Sequence, residues 1–397
     1  MGSSLMPHVR SSNALTGRWC ATFEGGDAVV SGAGLWPLLA ILASAAAGRA
    51  RDELAAAVDV PAELAQLFGL EMLRSLDAST EVSTALGVWV RAGVPLRREW
   101  VDTMPTGTVG ELGDSAMLDA WARERTDGLI EKFPVPIDPD TLCALATALL
   151  VRTRWSEAFR ETIFAPQSGP WRGHRGPGLT RTEYADGSVA YLDDAVTRVI
   201  VTGTGQLDVH LLISDHGPID ALEAGIAALD GTIPAYSHLP FGVTAPCVEV
   251  TRVQTSNGNY VSLTLPPFEV ESGHDLTDHA DLFGLTAALK ASEGHFPGLS
   301  PFPLAISAAG QNIVARFDAL GFEAAAVSAV SMVAGSVPVM EWATLTTVTI
   351  DRPFGFMAVD RRSGLVLVAG QVTAPPVTWD RPVGEQPAVE RNPGAPW

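Results

Sequence analysis

The stretch from residue 313 to residue 339, IVARFDALGFEAAAVSAVSMVAGSVPV, restricts the possible folds of this chain more than any other. It begins as a strand would, with β-branched and aromatic residues, and turns at Gly321. An alanine-rich run follows where an ordinary surface loop would be polar. With a period of two, one face reads Phe322, Ala324, Ala326, Ser328, Val330, Met332. The other face reads Glu323, Ala325, Val327, Ala329, Ser331. No proline occurs before Pro338 and no charge between Glu323 and Glu341, so nothing bars this segment from the middle of a sheet. By itself the run also suits a buried helix, because alanine is the best helix former and Phe322, Ala326, Ala329 and Val333 share a helical face. The flanking sequence has to decide.

Composition narrows the setting. Hydrophobic residues make up 47% of the 397 and charged residues only 18%, which describes a globular chain with a large core. The 26 basic and 45 acidic residues leave a net charge of −19, so no nucleic-acid partner is expected. All but Lys132 and Lys290 of the basic residues are arginine, a bias that reads as genome composition. Cys20, Cys143 and Cys247 are too few and scattered for a metal site or a disulfide framework, and buried free thiols are expected. The N-terminus lacks a charged start followed by an apolar run and a cleavage site, so a cytoplasmic location is expected. Residues 35–47 form the longest apolar candidate, a core helix rather than a membrane span. No cofactor, metal or membrane partner is expected, and the chain should be a monomer.

Periodicity predicts helices over 13–26, 35–47, 49–58, 96–104, 118–132 and 219–229. Strands are predicted over 82–91, 180–192, 196–202, 207–213, 248–253 and 260–265. The unbroken apolar run at 142–151 fits a strand covered on both faces or a buried helix. The chain from Thr373 on holds six prolines and reads as a loose tail. Helices first and then many strands, with no internal linker, predict one α+β domain over 13–374, a flexible start over 1–12 and a flexible tail over 375–397.

Five blocks then occur in a fixed order. Ser31-Gly32-Ala33-Gly34-Leu35 precedes the helix at 35–47, and Arg154-Trp155-Ser156-Glu157-Ala158-Phe159 follows the run at 142–151. Leu265-Pro266-Pro267-Phe268-Glu269-Val270-Glu271, with Asp275-Leu276 and Leu282-Phe283-Gly284-Leu285, makes the third. Asp351-Arg352-Pro353-Phe354 and Val368-Ala369-Gly370 are the fourth and fifth. With the alanine-rich run, these blocks resemble the serpins, and the chain looks like a bacterial-type member of that family. The resemblance covers nearly the whole chain. It implies helices packed on three mostly antiparallel sheets, and an exposed reactive loop at about 321–343 in place of the buried helix.

The resemblance gives an extracellular location as the alternative to the cytoplasm, and it also implies a function. The chain would be a suicide-type inhibitor of a serine endopeptidase, trapping it when the cleaved loop inserts as a new strand in the central sheet. About fifteen inserted residues at roughly 3.3 Å each would carry the acylated protease about 50 Å. Gly321, Phe322, Glu323, Ala324, Ala325 and Ala326 would form the hinge. Counting from the hinge puts the scissile bond at Gly335-Ser336, whereas counting back from Pro353 puts it at Met340, Glu341 or Trp342. Ser31, Thr147, Gln311 and Trp155 would line the region where the sheet opens, with Thr147 and Gln311 bonded across strands.

Several positions depart from the family pattern. Where two serines, an asparagine and a histidine are usual beneath the opening sheet, this chain has Ser31, Gly34, Thr147 and Gln311; Ala319 replaces an acidic hinge residue, and Phe322 takes the first inserted position in place of a small Thr or Ser. Burying Phe322 in a space built for less would cost ~1–3 kcal/mol. No Arg or Lys lies between Arg316 and Arg352, so an elastase- or subtilisin-like protease is expected rather than a trypsin-like one. The alternative is a non-inhibitory serpin-fold binding protein whose loop is only a protease substrate; a degraded relative is a third reading. No Gly-x-Ser-x-Gly or His-Glu-x-x-His motif is present, and the histidines at 174, 210, 238, 274, 279 and 295 read as surface or capping residues, so no enzyme is expected.

Overall fold

The apolar run that periodicity leaves open, at 142–151, becomes a strand in the middle of the molecule, buried along its whole length. The structure is a computed structural model that describes residues 5–126, 128, 131–138, 140–184, 187–193, 195–243, 245–256, 258–290, 294–322 and 340–375. The first part of the chain is largely helical: α1 (Pro7–Cys20), the short β1 (Ala28–Val30), α2 (Gly32–Ala45), α3 (Gly48–Val58) and α4 (Ala62–Asp77). Then come β2 (Val82–Val90), the one-turn α5 (Arg98–Val101), β3 (Val109–Glu111), α6 (Ser115–Arg125), β4 (Cys143–Val151) and β5 (Thr153–Arg154). β6 (Arg160–Phe164), β7 (Gly176–Glu183), β8 (Val189–Leu192), β9 (Val196–Thr202) and β10 (Leu207–Ser214) lead to α7 (Pro218–Leu229). The remainder is strand: β11 (Ala235–Tyr236), β12 (Val248–Thr255), β13 (Tyr260–Leu265), β14 (Phe268–Asp275), β15 (Ala308–Phe317), β16 (Gly321–Phe322), β17 (Glu341–Thr349), β18 (Phe354–Asp360) and β19 (Val366–Val372).

These strands form three sheets, giving the α+β architecture expected from the element order. The main sheet runs β3-β2-β4-β15-β16-β5, with β14 paired to β15. The second runs β1-β19-β18-β10-β9-β8-β11 and the third β12-β17-β13-β7-β6. Most neighbours are antiparallel; β2 with β3, β4 with β15 and β13 with β17 are parallel. β4 lacks polar alternation because both of its faces are covered. Leu145, Leu149 and Val151 belong to the large core shared with α2, whereas Ala144 and Ala146 belong to a small second core with Leu118 of α6, Trp89 and Phe133.

Several boundaries differ from the sequence reading. Residues 1–12 are not all loose, because α1 starts at Pro7 and buries His8, Val9, Ser11 and Ser12. Its polar residues hid it: Asn13 is buried because its amide donates to the Gly364 carbonyl and accepts from the Val366 N–H. Helix α4 was not anticipated, since exposed Leu64 and Leu67 blur the buried stripe Ala65, Gly69, Met72, Leu73, Leu76. The strand expected over 180–192 is two, β7 and β8. His210 and His295 are buried instead of lying at the surface. Cys20 and Cys143 are the buried thiols expected, and burial pushes both up to about 12. Of the tail, residues 376–397 lie outside the described residues.

Candidate functional site: a hinge at the open end of the main sheet

β15 and β4 lie side by side only over part of their length, from Ala308↔Ala144 to Asn312↔Ala148. Beyond that rung the two strands no longer pair directly. The two residues of β16 stand between them at the far end, Phe322 facing Phe317 of β15, and Gly321 and Phe322 facing Arg154 and Thr153 of β5. The registers agree. Phe317 and Thr153, which face Phe322 from opposite sides, are the residues that would face each other if the β15–β4 pairing continued upward. The sheet is thus closed at one end and already split at the other by the first residues after the Gly321 turn.

The turn is held by its own carboxylate and by the chain across the gap. The Asp318 Oδ1 accepts from the N–H groups of Leu320 (2.8 Å) and Gly321 (3.0 Å), an Asx arrangement that fixes the reversal. Trp155 donates its backbone N–H to the Leu320 carbonyl (3.0 Å) and its indole Nε1–H to the Asp318 carbonyl (2.9 Å). Phe159 donates its N–H to the Ala319 carbonyl at 2.8 Å. Below these bonds the Phe317 ring packs on Trp155 at 4.6 Å, on Phe268 at 5.2 Å and on Phe159 at 5.5 Å between centroids. On the opposite flank the Thr153 hydroxyl donates to Glu81, whose other carboxylate oxygen accepts from the Gln206 N–H.

Phe322, expected as a misfit on entering the sheet, is only 1% exposed before any cleavage. Its ring lies 6.4 Å from that of Phe356 in the second sheet. The space for this ring is therefore already part of the fold.

At the closed end a polar rung interrupts the core. Gln311 of β15 and Thr147 of β4 are register partners, and the Gln311 amide donates to Thr147 Oγ1 at 3.1 Å, the cross-strand bond expected from the sequence. The same amide also clasps the chain before α2, donating to the Ser31 carbonyl (3.0 Å) while its oxygen accepts from the Ser31 N–H (2.9 Å). The Ser31 hydroxyl donates to the Leu367 carbonyl and accepts from the Gly34 N–H, capping α2. A Cβ at Gly34 would stand 3.1 Å from that hydroxyl oxygen, a tight contact. Every polar group of this buried rung has a partner.

The structure thus joins Ser31, Thr147 and Gln311 in one cluster and puts Trp155 elsewhere, on the hinge turn. Glu323, Ala324, Ala325, Ala326, Gly335 and Ser336 lie outside the described residues. Met340 is described and exposed, and Glu341 and Trp342 are the first residues of β17, paired with Thr255 and Gln254 of β12. Sequence reasoning missed Asp318 and Glu81. Asp318, three residues before Gly321, carried a readable turn signal; Glu81 carried none, because its partners come from two distant segments.

Comparison with known proteins agrees with this geometry. The family model "Serpin (serine protease inhibitor)" matches residues 14–168 and 246–375. An uncharacterized serpin-like protein of Methanosarcina mazei is 22% identical over 77% of this chain and 70% of its own length. Serpin B6 of Pongo abelii is 22% identical over 65% of both chains, and Iripin-5 of Ixodes ricinus is 26% identical over 64% of this chain and 61% of its own. Among solved structures, the native thermophilic serpin tengpin superposes with a TM-score of 0.72 at 16% identity, covering 94% of this chain and 96% of that one. Thyroxine-binding globulin complexed with thyroxine gives 0.69 at 16% identity, covering 94% and 100%. At such identities the solved structures speak for the fold alone.

Proposed function

The chain belongs to the serpin family, and from that premise we propose that it is a suicide-type inhibitor of a serine endopeptidase. The observation that carries this reading is the continuous register around β16. Carried downward one residue per rung on insertion, it would set Ala324 between Val151 and Ala315, and Ala326 between Leu149 and Ile313. Ser328 would then fall between Thr147 and Gln311, and Val330 between Leu145 and Ala309. The one polar residue among these inward positions would meet the polar rung. On the other face Glu323 would fall between Arg152 and Arg316. A strand entering here pairs with both neighbours and satisfies backbone groups along its length.

Insertion as far as Met332 reaches Cys143, where β4 begins. A cut at Gly335-Ser336 leaves the acylated end just past that point, which suits a trap. The alternative at Met340, Glu341 or Trp342 suits it less, because Glu341 and Trp342 are already paired in β17 and a protease cleft needs an unpaired strand. The absence of Arg and Lys from 317 to 351 favours an elastase- or subtilisin-like partner.

Mixing the protein with pancreatic elastase and with subtilisin tests the reading. The expected result is an adduct that survives denaturing electrophoresis, cut between residues 335 and 336 by mass spectrometry. Cleavage of the loop without an adduct and without a gain in thermal stability would favour a binding protein on the same fold, whose loop is only a substrate.

A further inference from the structure

The third sheet carries a surface that loop insertion does not use. Trp342 is 69% exposed, more than any other large apolar side chain among the described residues. It faces Gln254 on one rung of the β12–β17 pair, and Arg252 faces Thr344 on the next rung of the same face. The Arg252 guanidinium lies over the ring of Phe241, 5.8 Å from its centroid, and Phe241 is itself 65% exposed. Met340, just before the strand, is 55% exposed. Two aromatic surfaces and a cation braced against one of them are thus left in water at the mouth of β17. Packing of β17 does not call for them, since its buried apolar side chains are those of Ala343 and Val348.

We propose that Phe241, Arg252 and Trp342 form a docking surface for the endopeptidase itself, apart from the bond it cuts. The inference rests on the inhibitor reading and names where else the partner touches. Continuity of the chain argues for this occupant. Trp342 follows the proposed bond by six residues, at most about 20 Å of extended chain. A protease gripping that bond covers about 800 Å² of its partner, a patch that reaches roughly 16 Å from its centre. Any bend in the six residues brings β17 within that reach. The chemistry fits a protease rim that offers a flat apolar face to Trp342 and an acidic or aromatic group to Arg252.

The test measures the second-order rate of adduct formation and the stoichiometry of inhibition, with elastase and with subtilisin. Full-length wild type would be compared with Trp342→Ala, Trp342→Phe and the double variant Phe241→Ala/Arg252→Ala. Phe302→Ala, at an exposed aromatic in the loop leading into β15, serves as control. The expected result is a rate at least tenfold lower for Trp342→Ala and for the double variant with one or both proteases. Stoichiometry should not change, Trp342→Phe should recover part of the rate, and Phe302→Ala should match wild type. Equal rates for all variants, with wild type still forming the adduct, would overturn the docking surface and leave the inhibitor reading standing. Failure of wild type to form any adduct would instead remove the inhibitor reading, and the docking surface with it.

Discussion

Gln311 shows how much one side chain can govern here. Its amide closes three bonds at once, two to the backbone of Ser31 and one to Thr147, so it ties the start of α2 to both β15 and β4. Replacing it by alanine leaves the Ser31 N–H unpaired in a dry environment, at roughly 1–3 kcal/mol, and takes one bond of about 1 kcal/mol from the Ser31 carbonyl, which keeps the Leu35 N–H. Gln311→Ala should therefore lower stability by about 2–4 kcal/mol, read from chemical denaturation followed by tryptophan fluorescence. Thr147→Val, which removes a single bond, should cost about 1 kcal/mol. Equal effects of the two substitutions would mean that the clasp on Ser31 carries no weight. The Thr147–Gln311 bond was legible in the sequence, because a buried amide and a hydroxyl on neighbouring strands need each other. The clasp on Ser31 was not, since nothing local to residue 31 tells which distant side chain fills its backbone valences.

Legibility at the scale of elements follows the same division. Val196–Thr202 and Tyr260–Leu265 emerged at the predicted bounds because each alternates clearly between a core face and a wetter one. The run at 142–151 could not be assigned alone, because a strand covered on both faces loses its alternation. The closed and split ends of the main sheet were invisible, being a matter of pairing between segments far apart in the chain. That pairing now makes the inserted register testable. Ser328→Leu would place a branched apolar side chain between Thr147 and Gln311 and should raise cleavage relative to trapping at least tenfold, whereas Ser328→Thr should keep trapping. Ala325→Leu, on the opposite face, should change the ratio much less. The ratio is read from the amounts of adduct and free cleaved chain on a denaturing gel, and comparable losses at 325 and 328 would mean the strand enters in another register.

For the molecule as a whole, the second sheet fixes the response to acid. His210 of β10 is buried, and desolvation first, then the nearby Arg198 cation, lower its pKa to about 3, against a weaker opposing pull from Asp208. Unfolded, the same imidazole titrates near 6.5. Below that pH the unfolded chain binds a proton that the folded chain refuses, so the native state loses stability as pH falls, from about 6.5 down toward 3. Each unit within that window removes ~1.4 kcal/mol for this group alone. His8 and His274 are lowered mainly by burial and act in the same direction. The net charge of −19 acts the other way, since acid first relieves its self-repulsion, so a wild-type profile alone mixes the two effects. His210→Met removes the titrating group while keeping an apolar side chain of similar reach. Between pH 7.5 and 5.5 wild type should lose ~1.4 kcal/mol more unfolding free energy than His210→Met, measured by denaturant titration at both values. Parallel losses in the two proteins would mean that His210 is protonated in the fold, and that the space around it is wetter than its burial indicates.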